Sequence, residues 1–148
     1  MDTEPLYVLL VEDDPDHAEL VTLALENRPP AKTVHYVSDG QEALDYLFRR
    51  SDYAEPDKSP RPHLILLDLR LPKVDGLEVL KEIKTCQDEQ LRRIPIVVLT
   101  CSEAEKDTAA AYDSRASSYV VKPVDFAEFQ RLVADLSFYW LVWNRLAA

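Results

Sequence analysis

A chain of 148 residues is the size of one ordinary domain, long enough to bury a full core and too short for two. Its formal charge of −10 argues against nucleic acid as a partner, because affinity for a phosphate backbone rests largely on cationic neutralisation. The apolar stretches are strand-sized, and Met1-Asp2-Thr3-Glu4-Pro5 is neither basic nor apolar, which argues against a membrane span or signal peptide and predicts a cytoplasmic protein.

Short aliphatic runs alternate with helix-spaced segments from end to end. The first run, residues 7–11, is followed by Asp14-Pro15, an N-cap before a first-turn proline. After the second, residues 33–37, Ser38 has Gln41 three positions on, the spacing of a capping box. Residues 51–62 hold three prolines and several charges and predict an exposed loop. The third run, 64–67, leads to Asp75 with Glu78; the fourth, 96–99, to Ser102 with Glu105; the fifth, 119–121, to Asp125 with Glu128. Five β-α units of this kind predict a parallel sheet covered on both faces, with right-handed crossovers. Cys86 and Cys101 lack metal-ligand spacing, and in a reducing compartment they read as small buried side chains without a disulfide.

Ligands of an open α/β sheet bind beyond the carboxyl ends of the strands. Here that edge offers Glu12, Asp13 and Asp14 after strand one, Asp68 after strand three, Thr100 after strand four and Lys122 after strand five. Asp13 and Asp68 suit a hard cation such as Mg²⁺, without which clustered carboxylates repel one another and an incoming phosphate. Asp68 follows the central apolar strand and is the candidate nucleophile, with Lys122 and Thr100 placed to contact phosphoryl oxygens. Asp14 and Asp75 read as caps, and His17, His35 and His63 share no spacing that would make them ligands or acid-base groups.

The strings Val11-Glu12-Asp13-Asp14, residues 67–76 (LDLRLPKVDG), Leu99-Thr100 and Tyr119-Val120-Val121-Lys122-Pro123 resemble, in order and spacing, the receiver domains of two-component response regulators. The resemblance spans about residues 6–137. It implies a flavodoxin-like fold with strand order 2-1-3-4-5, Asp68 as phosphoacceptor, and Mg²⁺ held by Asp13, Asp68, the backbone carbonyl of Arg70 and, through a water, Glu12. It also implies Thr100 and Lys122 as phosphate contacts, Thr100 with Tyr119 as the switch pair, and a sensor histidine kinase as the phosphoryl source. Such a protein is a phosphoacceptor that carries out its own phosphotransfer and dephosphorylation rather than an enzyme of separate substrates. Tyr46-Leu47-Phe48, the insertion at 53–62 and the aromatic tail Phe138-Tyr139-Trp140-Leu141-Val142-Trp143 further resemble the stand-alone receivers that serve bacterial phytochrome kinases. Glu12 stands where Asp is commoner, and Arg70 places a cation beside the acceptor.

Two other classes compete. A phosphatase with an aspartyl-phosphate intermediate also needs a carboxylate nucleophile and Mg²⁺, but it would resemble a family with a second Asp two residues on, where this chain has Arg70. A receiver-shaped interaction module that is never phosphorylated would have no use for Asp13, Asp68, Thr100 and Lys122 together. The whole chain, 1–148, reads as a single receiver, since about 26 residues follow Lys122, enough for one helix and a tail; no output domain is expected, and a downstream protein must carry the signal. Phe129, Leu132, Val133 and Leu136 suffice to pack the last helix on the sheet. The aromatic surplus of residues 138–148, with Phe138, Tyr139, Trp140, Leu141 and Trp143 foremost, predicts a homodimer on the final helix and tail; folding back over its own domain is the alternative.

Overall fold

The structure, a computed structural model, describes residues 6–27 and 31–144. Five parallel strands, β1 (Leu6–Val11), β2 (Lys32–Val37), β3 (Leu64–Leu67), β4 (Ile96–Thr100) and β5 (Ser118–Val121), form one sheet in the order β2-β1-β3-β4-β5. The predicted fold and strand order are those found. Alternation along each strand divides the core in two. Leu9, Val11, Ile65, Leu67, Ile96 and Val98 face helices α2 (Gly40–Phe48) and α3 (Gly76–Thr85), while Val8, Leu10, Leu64, Leu66, Val97 and Leu99 face α1 (Pro15–Glu26) and α6 (Phe126–Phe138). Because both faces are covered, the inner strands read as continuous apolar runs.

Asp14 caps α1, its side chain accepting from the Asp16 and His17 amides, and Asp125 caps α6 through the Glu128 amide. Other starts differ from the sequence reading. Asp39, not Ser38, caps α2 by accepting from the Glu42 amide. Asp75 precedes α3 without a side-chain capping bond. α5 (Glu105–Asp113) begins after Ala104, and the Ser102 hydroxyl accepts from the Ala104 amide while donating to Asp107. One further short helix, α4 (Glu89–Arg93), capped by Asp88, lies between α3 and β4 and is not announced by any periodicity.

The insertion is exposed at residues 51, 52 and 54–58, as expected of a loop, but is anchored at Tyr53 and Ser59. It forms two 3₁₀ turns, Ser51–Tyr53 and Pro56–Lys58. Tyr53 is half-buried, its ring edge-on to His35 and Tyr46, and Ser59 is fully buried with its hydroxyl on the Tyr53 and Glu55 carbonyls. The segment is thus pinned to β2 and α2 by aromatic packing.

The chain has two glycines, and both serve the loop after β3. A Cβ on Gly76 would overlap the Asp68 carbonyl, and one on Gly40 the Val74 carbonyl. Their amides donate to Leu69 and Pro72 at 2.9 and 3.3 Å. The loop carrying Asp68 is therefore clamped between the starts of α2 and α3 at distances only glycine permits.

α6 packs on α1 through Phe129 and Val133 and runs on into a π-helical turn, Tyr139–Trp143, closed by a bond from the Asn144 amide to the Tyr139 carbonyl. Trp140 and Leu141 lie partly buried against the α1/α6 side of the core, so this half of the tail folds back on its own domain. Phe138, Tyr139, Val142 and Trp143 stay exposed, Trp143 at 75%. Residues 145–148 of the expected arm lie outside the described residues. Among the described residues no helix is long and apolar enough to cross a membrane.

Candidate functional site

Backbone register brings the strand ends together. Val11 pairs with Leu67 and Thr100 with Val121, so Glu12, Asp68 and Lys122 each leave the sheet one residue beyond a matched pair. The Asp68 amide donates to Val11, the Glu12 amide to Val37 and the Lys122 amide to Thr100, which fixes the three backbones before any side chain is placed.

The side chains converge in a cleft of about 220 Å³ that Asp13, Asp14, His17, Arg70 and Cys101 also line. Lys122 Nζ donates to Asp68 Oδ2 at 2.9 Å and to Glu12 Oε1, and all three residues are at least nine-tenths buried. Asp68 Oδ1 accepts from the Arg70 amide at 3.2 Å, and Glu12 Oε2 from the Asp14 amide at 3.2 Å. One carboxyl oxygen each from Glu12, Asp13 and Asp68 lies within 4.8 Å of the others. Hard oxygen donors at that spacing, with Asp13 exposed to water, fit a Mg²⁺ ion that keeps part of its hydration shell. Receiver domains bind Mg²⁺, and this donor set fits that ion.

Charge is distributed unevenly within the cluster. Burial pushes Glu12 up to about 7, against the hydrogen bond and charge of Lys122 and with the help of neighbouring Asp68. Burial would raise Asp68 too, but the hydrogen bond and charge of Lys122, the Arg70 amide and the Thr100 hydroxyl outweigh it and hold Asp68 below the ordinary carboxylate range. Burial would lower Lys122, yet its bonds to Glu12 and Asp68 keep it above the usual lysine value. The nucleophile candidate is therefore anionic and paired, while Glu12 is the carboxylate that takes a proton first.

Of the sequence-derived residues, Glu12, Asp13, Asp68, Arg70, Thr100 and Lys122 line this cleft, and Tyr119 and the tail set do not. Thr100 is fully buried, and its Oγ1 accepts from the Ser102 amide at 3.4 Å. Tyr119 is half-buried against the α2/α3 side of the core, and its hydroxyl donates to the Ser102 carbonyl at 2.9 Å. Arg70 is exposed, and its guanidinium reaches away to α5, where Asp107 Oδ2 accepts it at 2.5 Å. Asp107 itself is buried and also accepts from Ser102 Oγ at 2.6 Å, so it ties Arg70 to the segment after β4. Phe138, Tyr139, Trp140, Leu141 and Trp143 belong to the far end of α6 and its π turn, apart from the cleft.

Sequence reasoning missed three members of this neighbourhood. His17 falls one residue short of a full turn after the Asp14 cap, which aims the first turn of α1 back at the strand ends; that offset was the available signal. Asp107 looked like a first-turn acid of α5 and nothing more. Cys101, read as a buried cysteine, is exposed at the rim, and Cys86 is only half-buried.

The response regulator receiver domain family matches residues 8–134. The chain belongs to that family. It is 44% identical over 142 residues to the probable methanogenesis regulatory protein FilR2 of Methanothrix harundinacea, covering 96% of this chain and 88% of the relative. It is 39% identical over 137 residues to response regulator Rcp1 of Synechocystis sp., covering 93% and 90%. Among solved structures, the phosphorylated cyanobacterial phytochrome response regulator RcpA superposes with a TM-score of 0.91 at 39% identity, over 98% of this chain and 100% of that one. The Mn²⁺-bound form of Rcp1 gives 0.88 at 39%, over 97% and 100%. The two-component kinship read from the strand-end motifs is thus the family's, and its phytochrome-linked branch is represented among the relatives.

Proposed function

We propose that this receiver takes a phosphoryl group from the phosphohistidine of a sensor histidine kinase onto Asp68 and signals through the protein contacts that this changes. The observation that carries the reading is the Asp68 carboxylate, buried, kept anionic by Lys122 and open to the cleft beside Asp13. An Asp68 oxygen forms the O–P bond as the donor's P–N bond breaks, and the electron pair returns to the imidazole nitrogen, so Asp68 needs no base. Glu12, through a water, Asp13, Asp68 and the Arg70 carbonyl would hold Mg²⁺. When bound, the ion neutralises charge on the phosphoryl oxygens. Lys122 and Thr100 contact the same oxygens from the protein side.

The reading includes a switch. Ser102 is joined to Thr100 by its amide and to Tyr119 by its carbonyl. A Thr100 hydroxyl drawn toward a phosphoryl group loosens the first bond, and the displaced Ser102 takes the Tyr119 acceptor with it. Amide spectra of the apo and beryllofluoride-Mg²⁺ forms test this: shifts at Ser102, Tyr119 and the β4-α5 segment are expected, and shifts confined to the neighbours of Asp68 would refute it.

Incubation with Mg²⁺ and acetyl phosphate tests the reading as a whole. Wild type should gain a hydroxylamine-labile phosphoryl group and Asp68→Asn should not; label that persists in Asp68→Asn overturns the assignment. A phosphatase is disfavoured by Arg70, whose guanidinium is engaged by Asp107 where that chemistry needs a carboxylic acid. Similarity to the phytochrome response regulator RcpA supports a phytochrome-type kinase as donor, with the transfer taking place in the cytoplasm in this reading, and transfer from such a kinase in preference to an unrelated one is the corresponding assay. A homodimer built on the exposed half of the aromatic tail belongs to the same reading.

A further inference from the structure

Lys122 has a third partner that the phosphoryl chemistry above leaves without a role. Its Nζ lies 3.0 Å from Nδ1 of His17, besides its bonds to Asp68 and Glu12. An ammonium has three N–H donors and no lone pair. With all three protons committed, His17 Nδ1 has to be the acceptor, and the neutral ring carries its proton on Nε2, the nitrogen 3.6 Å from Asp14 Oδ2. The ring is also held in place. Its backbone amide is drawn to the Asp14 cap at 3.4 Å, and the ring meets buried Phe129 of α6 edge-on, with centroids 5.6 Å apart and planes at 73°.

We infer that His17 is a positioning residue: its Nδ1 accepts a hydrogen bond from the third N–H of Lys122 and sets where that cation meets a phosphoryl group on Asp68. This rests on phosphoryl acceptance at Asp68. A phosphoryl group accepts the N–H that Lys122 now donates to Asp68 Oδ2, and Glu12, just beyond β1, and His17, on α1, remain as two anchors. Lysine is a flexible stem ending in a point charge, so one anchor leaves Nζ free to swing and two fix it. His17 neither gives nor takes a proton in the transfer.

Two substitutions separate this role from packing. His17→Phe keeps a ring against Phe129 and has no acceptor. His17→Asn loses the ring but places Oδ1 as many bonds from Cα as Nδ1. Labelling by acetyl phosphate at saturating Mg²⁺ should be about tenfold slower in His17→Phe, the order expected for one lost hydrogen bond to a charged group, and most of the rate should return in His17→Asn. Mg²⁺ affinity should be unchanged in both. A packing role gives the reverse order, so His17→Phe at the wild-type rate, or His17→Asn no faster than His17→Phe, overturns the inference. Imidazole ¹⁵N spectra of wild type give an independent check: the proton belongs on Nε2, and finding it on Nδ1 at neutral pH overturns the inference however the variants fold. An unlabelled wild type, or label surviving in Asp68→Asn, refutes the underlying reading instead and is told apart by that control.

Discussion

Lys122 neutralises two carboxylates that have little access to water, and its removal should be felt as an uncompensated buried charge. Lys122→Met is expected to lower the stability of the metal-free protein by roughly 3 kcal/mol, and Mg²⁺ should restore part of this by supplying the missing positive charge. Urea unfolding with EDTA and with Mg²⁺ measures both. Glu12 sets a pH dependence of definite sign. Its folded value of about 7 lies above the ordinary value of 4.5, so the folded protein binds that proton more tightly than the unfolded chain does. The contribution is full below about 4.5 and is lost as pH rises through about 7. Metal-free protein should therefore lose on the order of 1–3 kcal/mol between those limits from this group. Asp68, held low, contributes in the opposite sense, losing stability only as pH falls through its depressed value. Thermal midpoints in EDTA between pH 5 and 8 should fall for wild type and flatten in Glu12→Gln; a flat wild-type profile would contradict the burial of this carboxylate's charge.

The elements show where a sequence speaks and where it is silent. The inner strands were legible because both faces of a parallel sheet are apolar there, the edge strands β2 and β5 because they are short β-branched runs, and the site because four strands end in residues of one chemistry. The α2 cap was misplaced by one residue because Ser38 and Asp39 are both good caps; Gly40, whose amide bonds the Pro72 carbonyl, fits the tight approach that decides between them. α4 spans five residues, too few for a hydrophobic period. Tyr53 and His17 owe their roles to partners far away in the chain, His35 and Lys122, and no local pattern encodes such meetings. The glycine clamp yields a prediction at this scale. Gly76→Ala must push the Asp68 carbonyl away, and a cost of about 2–3 kcal/mol is expected, with slower phosphorylation by acetyl phosphate because the acceptor's own backbone moves. Urea midpoints and labelling rates of the same sample check it, and an alanine variant with wild-type values for both would show that the loop yields freely.

At the scale of the molecule, the two ends of the sheet have separate duties. Strand ends hold the acceptor, while α6 carries the aromatic turn to the other end. Within that turn Trp140 packs on its own core and Trp143 stands exposed, so their substitutions should part company. Trp143→Ser should weaken self-association at tens of micromolar with little loss of stability, and Trp140→Ser should lower the unfolding midpoint; sedimentation and urea curves distinguish them, and a wild type that sediments as a monomer with and without beryllofluoride removes the dimer. The same turn holds both tryptophans of the chain. A helix of 13 residues separates them from the cleft, about 20 Å at 1.5 Å per residue. Tryptophan emission in this protein is therefore blind to ion binding at the carboxylates as a local quenching event. Any change in it that follows phosphorylation has been carried down α6 or across the proposed dimer contact, which makes the unmodified chain its own optical gauge of long-range response.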